Sequence, residues 1–144
     1  MITREHYFAA KPHSSEDDIA AEDLMVRVNE VIAEAQRLGA ITVPTCPNTG
    51  TQISGSKGGS GDGGFRLQTS TTGSTHSSHK EAKAVDVYDP EGRLDEWLDD
   101  FEHGDGKNDM LATHGLFREA AASTPGWTHL TTRPPHSGRR TFTP

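Results

Sequence analysis

The sequence contains very little cysteine, which limits the folds and sites that it can form. Cys46 is the single cysteine among 144 residues, so an intrachain disulfide and a disulfide-stapled scaffold are excluded. A zinc site built on several thiolates is excluded for the same reason. Histidine and carboxylate side chains remain as candidate metal ligands.

Positive charge and long apolar runs are also scarce. The chain has 14 lysines and arginines against 21 aspartates and glutamates, a formal net charge of −7. An acidic chain without a lysine or arginine run is a poor partner for nucleic acid or an anionic membrane surface. No window approaches the ~20 apolar residues of a membrane span. The N-terminal segment lacks the apolar run of a signal peptide, so we expect synthesis in the cytoplasm.

The length predicts a single domain over residues 1–144, long enough for one apolar core. Apolar residues make up 31% of the chain and 15 residues are glycine, which favours a compact core with long loops. Residues 1–40 form an N-terminal helical segment in this prediction. Residues 47–64 are rich in glycine, serine and threonine, and form either a linker or a loop over a site.

Residue spacing predicts the order of the secondary structure. A helix is predicted over residues 16–38, because apolar residues recur there at three- and four-residue spacing between a serine cap and Gly39. The remaining predictions are strands over 41–44, 65–68, 83–88 and 127–132, a helix from residue 94 closed by 103–108, a helix over 108–114, and an irregular tail over 133–144. This order predicts an α+β domain.

The segment "STHSSHKEAKAVDVYDP", residues 74–90, holds the most informative polar residues. Asp86 lies between two valines of a predicted strand, where an unpaired carboxylate is costly to desolvate. A metal ion or an arginine such as Arg66 would balance its charge. His79 precedes Asp86 across a turn and His129 lies on another predicted strand, so the three side chains are candidate ligands of one metal ion. The alternative is that the histidines are structural and no metal binds.

The same segment resembles a family signature. "SSHKEAKAVDV" is similar to the Ser-x-His-x-x-Gly-x-Ala-x-Asp motif of zinc D-Ala-D-Ala carboxypeptidases, and the match runs through Ser77, His79, Ala84, Val85 and Asp86. Ala82 stands where the motif has glycine. That family includes the VanX dipeptidases and phage L-Ala-D-Glu endolysins, and it shares the fold of the Hedgehog signalling domain.

Downstream segments extend the resemblance over about residues 50–144. "GWTHL" matches a late Trp-x-His of the family at Trp127 and His129, and "DPEGRLDEWL", "GLFRE" and "SGRRTFTP" resemble small phage and prophage members. The resemblance implies a small antiparallel sheet flanked by helices. It also implies that His79, Asp86 and His129 bind Zn²⁺, which would activate a water molecule and polarise a peptide carbonyl.

The resemblance also requires a general base. Many relatives have a glutamate three residues before the last histidine, but Gly126 occupies that position here. Glu119 is the expected substitute, and its alternative is an ordinary surface glutamate. His76 and His136 are weaker candidates for the same role.

Three further residues are expected to bind or orient the substrate. Relatives bind the substrate carboxylate with an arginine in a Ser-Gly-Tyr-Arg-like segment ahead of the histidine motif. The resemblance implies this role for Arg66, since "GGFR" places it thirteen residues before His79, with Lys57 in "SGSK" as the competing alignment. Ser77 is expected to hydrogen-bond near the ligands, unless it is an ordinary turn serine. Trp127 is expected to flank the cleft, unless it belongs to the core.

These observations predict a monomeric, phage- or prophage-derived zinc peptidase that hydrolyses peptidoglycan stem peptides, either as a carboxypeptidase or as an endopeptidase. It would act at the cell wall, after release through a holin or as part of a virion. The alternative is a non-catalytic, zinc-stabilised binding or structural domain of a phage particle. The missing glutamate at Gly126 favours that alternative.

Overall fold

The computed structural model describes residues 1–38, 41–56, 62–102 and 109–144, and these contain four α-helices. They are α1 (Arg4–Phe8), α2 (Ser15–Arg37), α3 (Arg93–Glu102) and α4 (Met110–Thr113). The structure confirms α2 almost to the residue, because Ser14 and Asp17 form a reciprocal capping box at its start. Across this described part of the chain, no helix has the length and apolarity needed to cross a membrane. The predicted cap at Gly39 and the predicted helix closure at 103–108 lie outside the described residues.

The sheet in the described residues has four strands in the order β1-β3-β2-β4. They are β1 (Ala84–Tyr88), β2 (Phe117–Glu119), β3 (Trp127–Thr131) and β4 (Thr141–Phe142). β3 pairs antiparallel with β1 and with β2, whereas β4 runs parallel to β2. The α+β class and the strands β1 and β3 are confirmed.

The prediction of an antiparallel sheet is wrong for the β2–β4 pair, and the prediction of an irregular tail is wrong for β4. β4 pairs with β2 through carbonyl groups, since the Arg118 and Ala120 amides donate to the Arg140 and Phe142 carbonyls at 2.7 and 2.8 Å. Proline removes a backbone donor and not an acceptor. The prolines of the tail therefore do not prevent this pairing.

Residues 41–44 and 65–68 are not strands, and both predictions are wrong. In the second segment the backbone donors bond outside any ladder, with Phe65 N donating to the Tyr7 carbonyl and Arg66 N to the His79 carbonyl. The predicted helix over 108–114 is confirmed in a shorter form, as α4. β2 was not predicted, and α1 lies in the predicted N-terminal helical segment without having been predicted as a separate helix, because three and five residues are too few to show a periodic pattern.

One apolar core joins the helices to the sheet. Its buried side chains come from α1, α2, α3, β1 and β3 and include Tyr7, Leu24, Val28, Val85, Val87, Leu98 and Leu130. The two valines of β1 alternate with Asp86, so their burial leaves the carboxylate on the opposite face of the strand. The position of the polar cluster therefore follows from the core.

The outer edge of β1 is covered by loop backbone. Tyr88 N donates to the Gln52 carbonyl at 2.8 Å, Ser54 N donates to the Asp86 carbonyl at 2.8 Å, and Asp86 N donates to the Gly63 carbonyl at 2.7 Å. Both ends of the glycine-rich segment are thus tied to the strand that contains Asp86. Its residues 57–61 lie outside the described residues.

Candidate metal centre

The register of the sheet brings Asp86 and His129 together. They are direct partners in the antiparallel β1–β3 ladder, so their side chains project from the same face. The Nδ1 atom of His129 lies 2.8 Å from Oδ1 of Asp86. A shift of either residue by one position along its strand would place its side chain on the opposite face of the sheet.

His79 reaches the same point from a 3-10 turn over Ser78–Glu81. The Ser77 hydroxyl caps this turn by accepting from the His79 amide at 3.3 Å. Ala82 ends the turn in the left-handed region, at φ 56°. Glycine adopts that conformation at little cost, which gives a physical reason for the glycine of the motif that this segment resembles.

The three side chains form a convergent, buried group. Each offers one nitrogen or oxygen atom, and these atoms lie within 4.8 Å of one another. His79, Asp86 and His129 are between 2% and 8% exposed. Because ligand atoms lie about 2.0–2.2 Å from a zinc ion, donors on one ion are at most about 4.4 Å apart, and a small contraction would suffice.

The orientation of His79 is fixed by a backbone carbonyl. Its Nδ1 atom lies 2.9 Å from the Gly64 oxygen, which can only accept, so Nδ1 is the protonated nitrogen. The other nitrogen, Nε2, lies 3.4 Å from Oδ1 of Asp86, and in the neutral imidazole its lone pair would be the one offered to a metal ion. A hydrogen bond of this kind behind a histidine ligand is the usual arrangement in protein metal sites.

The charges at the site are coupled. Burial alone would raise the pKa of Asp86, but the charge of His79 and the hydrogen bond from His129 outweigh it and hold that pKa well below its usual value. Burial lowers the pKa of His129, but the hydrogen bond and charge of Asp86, with a further contribution from Glu119, raise it above its usual value. Asp86 is therefore ionised, and it is stabilised by whatever positive charge occupies the centre.

Two glycines support this arrangement. Gly63 accepts from the Asp86 amide, and the Gly64 carbonyl orients His79. A methyl group built on Gly63 would lie 2.2 Å from the Ser54 carbonyl oxygen and 3.0 Å from Cβ of Asp86. Neither glycine was predicted as part of the site. The available signal was the Gly-Gly pair that ends the glycine-rich segment just before Phe65.

The candidate centre opens into a cleft of about 750 Å³. All seven residues predicted for the site line it, namely Arg66, Ser77, His79, Asp86, Glu119, Trp127 and His129. Trp127 is half-buried at the cleft wall, while Ser77 acts on the turn backbone instead of on a ligand side chain. Arg133 and Phe142 line the same cleft and were not predicted.

Arg66 lies beside the candidate ligands. Its Nη2 atom is 3.6 Å from Oδ2 of Asp86, and its Nε atom donates to the Asp62 carbonyl at 2.8 Å. The guanidinium thus provides part of the positive charge that balances the buried carboxylate. An arginine was one of the two partners predicted for Asp86, and a metal ion was the other. Lys57, the competing residue for a substrate carboxylate, lies outside the described residues.

The candidate bases differ in their placement. Glu119 lies on β2, half-buried in the cleft, and its negative charge acts on His129. His76 and His136 line the cleft as exposed residues. Gly126 precedes β3 at φ 97°, with open space around it. Among the described residues that line the cleft, Glu119 is therefore the one partly buried side-chain carboxylate that is not a candidate ligand.

The donor set suits a divalent cation. Two neutral imidazoles and one carboxylate leave such an ion with net positive charge, and the cleft gives a ligand access to it. This chemistry is shared by several metals.

Comparisons of the chain with protein-family models, with curated proteins and with solved structures found no match.

Proposed function

We propose that this protein is a zinc peptidase that hydrolyses peptide bonds in peptidoglycan stem peptides. The observation that supports this best is the buried group of His79, Asp86 and His129 at a cleft that also contains Glu119 and Arg66. A purely structural histidine cluster has no need of an open cleft, a carboxylate and an arginine around it. The proposal includes a Hedgehog-like fold for a monomer of phage or prophage origin, and it draws these from the sequence resemblance.

His79, Asp86 and His129 would hold the zinc ion. When bound, zinc supplies a Lewis acid that polarises a peptide carbonyl and lowers the pKa of water. The choice of zinc rests on the two imidazoles with one carboxylate and on the resemblance to the zinc carboxypeptidases. The Gly64 carbonyl keeps His79 in the tautomer that such binding needs.

The other residues of the cleft have separate roles in this proposal. Glu119 accepts a proton from the attacking water and returns it to the leaving nitrogen. Its half-buried position on β2 keeps the carboxylate close to the candidate centre. Arg66 pairs with a carboxylate of the peptide through its guanidinium fork. Trp127 forms a wall of the cleft.

A second candidate function is a zinc-stabilised binding domain of a phage particle. Gly126 favours it, because the position three residues before His129 has no side chain that could act as a base. The cleft and the candidate ligands would then serve stability and recognition without turnover.

Mass spectrometry of purified peptidoglycan, incubated with the protein with and without a chelator, tests the proposal. We expect chelator-sensitive loss of a terminal D-alanine or release of a defined stem peptide, which would also identify the bond. No mass change from protein with stoichiometric zinc would contradict catalysis and support the binding domain.

The variant E119Q tests the proposed base. Loss of a positioned general base typically lowers the rate about 10²- to 10⁴-fold. We expect a loss of that size with full zinc content by elemental analysis. The matched control is E22Q, at an exposed position on α2, which should keep both activity and zinc. Unchanged activity in E119Q would remove Glu119 from the proposed mechanism.

A further inference from the structure

Arg66 lies in a segment without helix or strand, and the N-terminal part of the chain holds that segment in place. The residue before it, Phe65, is 3% exposed, and its ring contacts the Phe8 ring edge-on at a centroid distance of 5.2 Å. The Phe65 amide donates to the Tyr7 carbonyl at 3.0 Å. The N-terminal segment therefore contacts both the backbone and the side chain next to Arg66.

Lys11 binds the other backbone polar group of Phe65. Its Nζ atom donates to the Phe65 carbonyl at 2.7 Å. Because Tyr7 and Lys11 occupy the amide and the carbonyl of Phe65, that residue cannot rotate without losing a hydrogen bond. Arg66 follows directly, and its own amide is bonded to the His79 carbonyl at 3.1 Å.

Lys11 also acts on the other end of this segment. Burial lowers the pKa of Lys11, whereas the negative charge of Asp62 opposes that shift. The Asp62 carbonyl in turn accepts from Nε of Arg66 at 2.8 Å. The ammonium group thus bonds the backbone at Phe65, and its charge is attracted by Asp62, whose carbonyl holds Nε of Arg66.

The same N-terminal segment is anchored to the strand of the candidate centre. The Tyr7 hydroxyl donates to the Ala84 carbonyl at 2.8 Å, two residues before Asp86. Residues 7–11 therefore connect β1 with the segment that contains Arg66. A displacement of this connection would change the position of Arg66 relative to Asp86.

We propose that Lys11 is a positioning residue, which holds the guanidinium of Arg66 where it binds a carboxylate group of the peptide. This inference rests on the proposed function for the identity of the ligand. It concerns an N-terminal lysine that lies outside the segment resembling a known family. Its chemistry predicts an effect on binding of a free carboxylate and little effect on turnover.

The first test measures Arg66 without any substrate. The Nε–Hε group of Arg66 is a donor in a half-buried hydrogen bond and should give a resolved signal in ¹H–¹⁵N NMR spectra, assigned with R66Q. We expect K11M to shift or broaden this signal and K11R to restore it. The matched control is K83M, an exposed lysine beside β1, which should leave it unchanged. An unshifted Arg66 signal in K11M would overturn the proposal.

The second test measures binding and turnover with N-acetyl-D-alanyl-D-alanine and with its C-terminal amide. Loss of one hydrogen bond to a positioning group is worth up to about a tenfold change in affinity. We expect K11M to weaken binding of the free acid by about that factor, raising KM and leaving kcat nearly constant, with no effect on the amide. K11R should recover the affinity. Equal weakening for acid and amide would contradict positioning of Arg66.

The two proposals fail in different ways. If the wild-type protein binds neither peptide nor cuts peptidoglycan, the proposed function fails, while the NMR test of Lys11 on Arg66 still decides the positioning. If the protein cuts peptidoglycan and K11M behaves like K83M, only the positioning fails. Should K11M not fold, K11Q, which also removes the charge, takes its place with the same expected results.

Discussion

The described residues contain two buried ionic clusters, one on each side of β2 and β3, and they differ in how their charges are satisfied. In the first, the fully buried side chain of Arg118 donates to the Asp95 carboxylate at 3.0 Å, to the Thr141 hydroxyl at 3.1 Å and to Asp99. In the second, His79 and His129 surround the carboxylate of Asp86. The first cluster is closed by its own cation, whereas the second opens into a cleft.

This difference separates a structural network from a candidate binding site. The guanidinium of Arg118 already pairs with the carboxylates around it, so an additional cation would gain little there. At the second cluster, two imidazole nitrogens and a carboxylate oxygen point at one another, and Arg66 supplies a cation from one side at 3.6 Å. Burial of a carboxylate is therefore not enough to indicate a metal site. Convergence of several side chains that can each ligate a metal ion is the stronger sign.

The largest expected effect is the loss of the cation in the closed cluster. R118M leaves Asp95 buried without its partner, and breaking a buried pair in this way costs about 3–5 kcal/mol. We expect the free energy of unfolding, measured by urea denaturation, to fall by that amount. The control is R133M, whose partner Glu81 lies 3.1 Å away in a largely exposed pair, with an expected cost below about 1 kcal/mol. Similar losses in both variants would contradict the distinction.

A pH effect of at most about 3 kcal/mol is expected from the same cluster. Burial raises the pKa of Asp95 from 3.8 to about 6, against the opposing effect of Arg118, and the charges of Asp89 and Asp99 add to the rise. Between about pH 4 and pH 6 the folded state therefore binds more protons at this position than the unfolded state. Stability from this group is present at low pH and falls as the pH rises through that window.

D95N isolates this effect, because its amide does not titrate. We expect the stability of the wild type to fall relative to that of D95N between pH 4 and pH 6, in urea titrations with a chelator present. The chelator is needed because protons compete with a metal for histidine ligands. Parallel pH profiles for the two proteins would show that Asp95 titrates alike in the folded and unfolded states.

The open cluster should respond to metal where the closed one does not. At a free zinc concentration 100-fold above the dissociation constant, binding to the folded state alone stabilises it by about 2.7 kcal/mol. We expect a chelator to lower the melting temperature of the wild type and of H136Q, and to leave that of H129Q unchanged. His136 is a matched control because it lines the same cleft without belonging to the candidate ligands. A chelator-insensitive wild type would favour structural histidines without metal.

The residues of the open cluster were predicted from the sequence as candidate ligands, whereas those of the closed cluster were not predicted. Asp86 stood out because it interrupts an apolar strand, and its partners had the residue types and spacing of a known motif. Arg118 lies in a strand of three residues, which gives no pattern from which burial could be predicted. Its partner strand β4 has only two residues, so its pairing depends on tertiary contacts.

The supports of the candidate ligands were equally hidden. Gly64 orients His79 through its own backbone carbonyl, and Lys11 donates to the backbone carbonyl of Phe65. Such contacts leave no signature in residue type or periodicity. The positive φ of Ala82 could be expected only through the glycine of the resembled motif. What the sequence alone predicts here is the chemistry of side chains, and what it does not predict is the backbone that orients them.

Gly63 offers the finest test of that backbone support, since the space for its side chain is filled. A methyl group there meets the Ser54 carbonyl oxygen at 2.2 Å, so the Gly63–Asp86 hydrogen bond has to move. Changes to the groups that orient metal ligands typically cost about 10- to 100-fold in metal affinity. We expect G63A to lose zinc affinity by that factor in competition titrations with a chromophoric chelator.

The control G92A separates this loss from a general loss of stability. Gly92 has φ 68° and open space around it, so an added methyl group strains the backbone by about 1–2 kcal/mol without touching the centre. G92A should therefore lower the free energy of unfolding and keep the zinc affinity of the wild type. If G63A also keeps that affinity, the Gly63–Asp86 hydrogen bond does not position Asp86, which is then held by the β1–β3 ladder.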